Sequence, residues 1–227
     1  MSEDLLTGAI PKEQLKAFIK AHLAGREPDL STAVLIVASA FHAHKDRSGA
    51  SYILHLQQVL LSGSQSAKKI TVGVLHDLVE DTDWTLDDLR EVGFSQVIRD
   101  AVDDLTHREG ESYFDSIVRI GHSFARGDGN NLLSIDPKIE DLGHNLSGRR
   151  QRALMTESQQ YKTQAYIVSY NYLLAIKKRD IKPGTSIAEF MEKRPELKDL
   201  GLLQRFGTSR SVGPTAPVLA GQAPRVG

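Results

Sequence analysis

Lys69-Ile-Thr-Val-Gly-Val-Leu-His-Asp-Leu-Val-Glu-Asp81 is apolar over most of its length and then turns ionisable. Ile70, Val72, Val74, Leu75, Leu78 and Val79 make the stretch strongly apolar up to its charged end. The far end is different. On a helix, His76 pairs with Glu80 and Asp77 with Asp81 at i, i+4, so all four groups fall within an arc of about 140°. Bringing that face near a core is costly unless the groups are paired or hold a metal. Adjacent His76 and Asp77 offer a nitrogen and an oxygen ligand to one divalent ion. Glu80 and Asp81, one turn on, are placed to orient or deprotonate an attacking water. Taken alone, the His76-Asp77 pair also fits a capping pair at a helix end.

Working outward, the neighbouring stretches keep the helical period. Leu15, Phe18, Ile19, His22 and Leu23 give an amphipathic helix over 12–23. Ser31 can cap a run from Thr32 to Phe41 that is apolar nearly all round, a pattern that suits a central, buried helix, with His42 in its last turn. After a break at Arg47-Ser48-Gly49, a helix runs from about Tyr52 to Leu61. Thr85-Leu-Asp-Asp88 resembles a capping box for a short helix stopping at Gly93, and Ser95 can cap the next. Tyr113, Phe114, Ile117 and Val118 suggest another, and Arg126–Asn131 reads as a loop. Asp136-Pro137 reads as N-cap and first helical position. A long helix follows over roughly 157–178, and Ser186 with Glu189 opens a last short one. No alternating strand pattern persists, so the fold class is all-α. Residues 1–206 read as one domain, with a core over 31–152 and C-terminal helices over 157–206. Residues 207–227, with four Gly, three Pro and no acidic residue, read as a disordered tail.

Composition narrows the chemistry. The chain has 227 residues, 28 Lys+Arg against 29 Asp+Glu, eight His and no Cys. A net charge of −1 argues against a broad basic surface for duplex nucleic acid. Zero cysteine removes thiolate nucleophiles, disulfides, Cys-type zinc sites and iron–sulfur clusters, so any metal must be held by His and carboxylates. No segment approaches the ~18–20 apolar residues of a membrane span, and the acidic N-terminus has no apolar signal core, so no membrane association and a cytoplasmic location are expected. Residues 77–104 hold ten acidic residues against Arg90 and Arg99. That face suits a polyphosphate only if a cation intervenes. Lys45, Arg47, Lys138, Arg149, Arg150 and Arg152 are the basic groups that can meet phosphates.

Two more candidate ligands come from distant helices: His42, and Asp141 within Lys138-Ile-Glu-Asp-Leu-Gly-His-Asn145. The resulting H…HD…D pattern resembles the HD-domain metal-dependent phosphohydrolases. Its surroundings resemble the hydrolase domain of the RelA/SpoT alarmone enzymes, most closely the stand-alone small alarmone hydrolases. His42…Arg47-Ser48-Gly49…Tyr52-Ile53-Leu54-His55 is similar to the family's opening motif, and Leu75–Thr82 matches its L-H-D-V-V-E-D-T almost residue for residue. Lys138–Asn145 resembles K-L-A-D-R-x-H-N. Residues 82–94 and 105–113 are also similar to the small bacterial versions.

The resemblance implies an HD-domain helical bundle that holds one Mn²⁺ through His42, His76, Asp77 and Asp141. It implies that Glu80 and Asp81 act on the attacking water. It also implies removal of the 3′-pyrophosphate of (p)ppGpp or (p)ppApp, with Arg47, Ser48, Lys138 and Asn145 contacting the nucleotide. Functional pairing with an alarmone-synthetase toxin is a further implication. There are departures: the stretch between His42 and Ser48 is one residue shorter than in the family, and His44 replaces a Gly. His44 is therefore an alternative ligand, although His42 keeps Arg47 at the family's spacing. His55 reads as a structural or supporting group, and His144 as a support for the ligands. Two other functions share these features: a phosphohydrolase of another nucleotide, and a non-catalytic module that binds an alarmone or a protein partner. Intact Glu80 and Asp81 speak against the latter.

Overall fold

The computed structural model describes residues 10–45, 49, 51–60, 66–126, 132–147 and 156–198. In chain order the helices are α1 (Lys12–Leu23), α2 (Leu30–Ala40), α3 (Tyr52–Leu60), α4 (Ala67–Leu75), α5 (Leu78–Asp81) and α6 (Leu86–Val92). They continue with α7 (Gln96–Leu105), α8 (Tyr113–Ser123), a 3₁₀ turn (Phe124–Arg126), α9 (Ile135–Asn145), α10 (Glu157–Lys177), α11 (Ile187–Glu192) and α12 (Pro195–Lys198). The fold is an all-α bundle. Among the described residues there is no strand, only an isolated antiparallel bridge between Lys45 and Ser51. The expected tail at 207–227 lies outside the described residues. Among them no helix is long and apolar enough to cross a membrane.

The apolar stretch over 69–81 supplies the hub. Thr71 to Leu75 of α4 are all buried, and α4 packs against α2, α3, α7 and α9. The other hub is α9, which packs against α10, α4, α3 and α8. One hydrophobic cluster runs from Leu15 on α1 to Leu197 on α12. Each fully buried Leu or Ile in it, such as Leu75, Leu78 or Leu142, contributes about 2 kcal/mol of transfer free energy.

Three boundaries differ from the sequence reading, each for a local reason. The run over 69–81 is two pieces: α4 ends at Leu75, His76 and Asp77 form a turn, and α5 resumes at Leu78. The Asp81 amide still donates to the Asp77 carbonyl at 2.9 Å, so the chain kinks without losing direction. At α2 the cap is Asp29, whose carboxylate accepts from the Thr32 amide at 3.0 Å, and Ser31 lies inside the first turn. At α9 the helix starts two residues early, with Ser134 at the cap and Ile135 as its first residue. Asp136 instead binds Lys69 Nζ at 2.6 Å and Lys177 Nζ at 2.8 Å, tying α9 to α4 and α10. Pro137 is tolerated in the first turn, where amides have no intrahelical partner.

The Thr85 box is present, closed by Asp88, and it doubles as an anchor for α1. One Asp88 oxygen accepts from the Thr85 amide at 3.0 Å, and the other lies 2.7 Å from Lys16 Nζ. Burial pushes the Asp88 carboxyl up, but Lys16 and the Thr85 amide outweigh it and hold it well below the usual carboxylate range. Hydrogen bonds to Asp88 and Glu91 hold the Lys16 amine above its ordinary value. A depressed carboxylate stabilises the fold above its unfolded pKa near 4, and that gain is lost as pH falls through the native value. A raised lysine stabilises below its unfolded pKa near 10.4, and that gain is lost as pH rises through the native value. The pair therefore acts fully between about pH 4 and 10. Asp88→Asn should lower Tm most between pH 5 and 9, and the gap to wild type should close below about pH 3. A gap that stays constant down to pH 2 would contradict the ion pair.

Candidate metal centre

Burial of α4 carries His76 into the interior, and the turn after Leu75 aims its ring. The His76 Nδ1–H donates to the Gly73 carbonyl at 2.6 Å, and since a carbonyl only accepts, Nε2 is left to bind something else. That Nε2 is buried and makes no hydrogen bond, although Asp77 Oδ1 is 3.0 Å away and Asp141 Oδ1 3.8 Å. A buried imidazole nitrogen without a hydrogen-bond partner, facing two carboxylates, is what a ligand looks like.

His55 comes from α3. Its Nε2 lies 4.0 Å from Asp141 Oδ1 and 3.9 Å from Asp77 Oδ2, and its Nδ1 is 3.2 Å from Nδ1 of His144. Asp141 comes from α9. Its Oδ1 accepts from Asn145 Nδ2 at 2.9 Å, and its Oδ2 lies 3.3 Å from Lys138 Nζ. His55, His76 and Asp141 each present a ligand atom, all within 4.8 Å of one another, and this group can hold a metal ion. Two ligands about 2.1 Å from one ion stand about 3–4 Å apart, so little movement is needed. Asp77 flanks the group as a second carboxylate. The Tyr52 hydroxyl donates to Asp77 Oδ2 at 3.0 Å, and the Tyr52 ring is stacked on Phe41 with centroids 3.9 Å apart.

The charges are coupled. Burial lowers the His76 pKa, but Asp77 and then Asp141 outweigh it and raise the imidazole to about 9. Burial raises the Asp77 carboxyl, yet the His76 imidazole, with His55 and Lys138 behind it, brings it below the ordinary range. Asp141 is likewise depressed: Lys138 and His76 overcome burial and the repulsion from Asp77. Lys138 itself is raised, burial being outweighed by Asp141, Tyr113, Asp77 and Glu80. Burial and the Asp77 charge keep the Tyr52 phenol protonated. Two anions and a cationic ring in one buried pocket suit replacement of the proton by a metal ion, since ligation requires a neutral imidazole.

The structure brings together His76, Asp77 and Asp141 of the expected ligands but leaves out His42. His42 is exposed in the turn after α2, one residue past the Phe41 cap, and is not among the clustered ligand atoms. His44, whose Nδ1 is buried, is also outside the group. The second imidazole is that of His55, read from sequence as a supporting residue. Tyr52 and His55 are three residues apart and share a face of α3, but the spacing alone does not say that this face turns toward α4 and α9. Glu80 is exposed on α5, and its Oε2 accepts from the His107 amide at 3.1 Å, while Asp81 is partly buried beside it. Lys138 and Asn145, expected at the nucleotide, are both engaged with Asp141. Arg47, Ser48, Arg149, Arg150 and Arg152 lie outside the described residues. No protein-family model matches the chain.

Proposed function

We propose that the chain is a Mn²⁺-dependent hydrolase that removes the 3′-pyrophosphate of purine alarmone nucleotides, (p)ppGpp and/or (p)ppApp. One observation carries the reading: a buried His55–His76–Asp141 group that can hold a metal lies beside Asp77, with the Glu80-Asp81 pair one turn on. The motif set around it, from Arg47-Ser48-Gly49 to Lys138–Asn145, supports the substrate class through its resemblance to the RelA/SpoT-type HD hydrolases.

His55, His76, Asp77 and Asp141 would hold the ion. A divalent cation there supplies acidity to water and positive charge against phosphoryl oxygens. The chain's own residues do the rest. His55 and His76 are held in orientation by His144 and by the Gly73 carbonyl, and Tyr52 and Asn145 fix the two carboxylates. Glu80 or Asp81 accepts the proton of the attacking water. The water oxygen bonds to the phosphorus next to the 3′ oxygen, the bond to that oxygen breaks, and the 3′ oxygen leaves with the nucleoside and takes up a proton. Arg47 offsets phosphate charge and Ser48 orients the nucleotide, while Lys138 and Asn145 act through the Asp141 carboxylate that they hold. The substrate comes from a pyrophosphoryl transfer to a purine nucleotide's 3′ hydroxyl, as an alarmone-synthetase toxin would perform.

Incubation of the pure protein with Mn²⁺ and ppGpp, pppGpp and ppApp should release pyrophosphate, and in H₂¹⁸O the label should enter the pyrophosphate. Turnover only of other nucleotides would replace the substrate assignment. Binding of alarmone without turnover would make the chain a receptor.

A further inference from the structure

Glu80 is the exposed member of the Glu80-Asp81 pair, and it stands on a single helical turn, α5. A carboxylate that must take a proton from water needs its position fixed, because misplacement by about 1 Å can cost about 100-fold in rate. The chain fixes it from another segment. After α7 the loop 106–112 turns back over α5, and the His107 amide donates to Glu80 Oε2 at 3.1 Å. That bond engages one of the two carboxylate oxygens, so the second can still accept a proton.

The loop is in turn held on both flanks by Arg119. Arg119, on α8, donates through Nη1 to the Asp104 carbonyl at 2.7 Å and through Nη2 to the Thr106 carbonyl at 3.0 Å. Its Nε and Nη2 form a fork onto Glu111 Oε1 and Oε2 at 2.7 and 2.8 Å. Glu111 Oε2 also accepts from the Arg108 amide at 3.2 Å, and the Glu111 amide donates to the Arg108 carbonyl at 3.1 Å. The turn passes through Gly110 at φ +75°, a conformation that favours glycine. One guanidinium therefore binds the loop on both sides of His107, at 104–106 and at 111. Arg119 and Glu111 are both largely buried, so water competes weakly with the fork. A lysine offers no such fork.

We propose that Arg119, with Glu111, is a positioning residue for hydrolysis: it clamps the 106–111 segment so that the His107 amide holds Glu80 toward the attacking water. This rests on the reading of the site as a metal-dependent hydrolase with Glu80 beside the reacting water. Arg119 touches neither the metal group nor the substrate, and it acts through a peptide. Its loss is therefore felt in kcat rather than in metal or substrate binding.

The test uses Arg119→Gln, Glu111→Gln, Glu80→Ala and the Arg119→Gln/Glu80→Ala double variant of the full chain. Glu111→Gln opens the same clamp from the loop side, should Arg119→Gln fail to fold. Either single clamp variant should lower kcat by about tenfold or more, with KM and the Mn²⁺ Kd within twofold of wild type. Adding Arg119→Gln to Glu80→Ala should lower kcat no further, because the two act through one group. In the metal-free protein, hydrogen exchange at the His107 amide should quicken in Arg119→Gln and in Glu80→Ala. A clamp variant with kcat within twofold of wild type, an equal loss in the Glu80→Ala background, or unchanged His107 exchange would each overturn the proposal. A wild type without turnover would overturn the hydrolase reading and the positioning role with it, while the amide exchange still reports whether the clamp holds His107 on Glu80.

Discussion

Replacing His76 with alanine should remove metal binding and the proposed hydrolysis together. The ring contributes the buried Nε2, and the site cannot recover that ligand from solvent because His76 is enclosed. Loss of a nitrogen ligand should weaken the Mn²⁺ Kd by about 100-fold or more, and kcat/KM should fall with it at any fixed metal concentration. Asp141→Ala should behave the same way, and more severely for stability, because Lys138 would be left buried beside Asp77 without its nearest anion. The paired control is sharper still. His55→Ala should weaken Mn²⁺ binding as His76→Ala does, whereas His42→Ala should leave the Kd within twofold, since His42 is exposed outside the group. Calorimetric Mn²⁺ titration of the four variants, with circular dichroism to verify folding, decides it. Tight binding retained in His76→Ala would contradict the site.

Asp81→Ala should separate the two functions that His76→Ala removes together. Asp81 lies four residues beyond Asp77, on α5, and outside the metal-holding group. Its loss should cut kcat by about 100- to 10,000-fold, the range for removal of a general acid–base group, while Mn²⁺ affinity changes little. The Asp81 amide–Asp77 carbonyl bond is a backbone contact and survives the substitution. Single-turnover measurements with saturating metal and nucleotide isolate the chemical step. Normal turnover in this variant would refute its part in the reaction and leave Glu80 alone as the proton acceptor.

How legible the protein was in its sequence follows from how local each feature is. The bounds of α1 were read to the residue, although Phe18 and His22 of its expected stripe are exposed, and the Thr85 box with its Gly93 stop was equally plain, because periodicity and capping are written within one element. The α10 start was not anticipated as a cap, although Thr156 and Gln159 form a box of the same kind. The turn at His76-Asp77 was invisible to a pattern that treats apolar and ionisable residues on one helical wheel. It arises from the ring reaching back to the Gly73 carbonyl. The cap at Asp29 was missed because a serine two residues on offered the same chemistry. Asp136 was assigned to a cap when its partners were Lys69 and Lys177, on helices far away in the chain.

At the candidate site, the nearness of His76, Asp77 and Asp141 to one another was legible because their motifs are compact. His55 was not, because which of several histidines enters a cluster depends on the roll of α3 against α4 and α9, and that is set by packing. His42 sits one residue beyond the α2 cap, where a small change in the connecting turn decides between core and solvent. The Arg119 clamp could not be read at all, since its partners are mostly backbone carbonyls, which a sequence does not distinguish.

The central claim is that one divalent ion sits among His55, His76 and Asp141. Crystals of the wild-type chain soaked in Mn²⁺, with diffraction recorded at the manganese edge, test it directly. One strong anomalous peak should lie within bonding distance of His55 Nε2, His76 Nε2 and Asp141 Oδ1, with Asp77 beside it. A peak held by His42 in place of His55, or no peak at this position while manganese binds elsewhere, would contradict it.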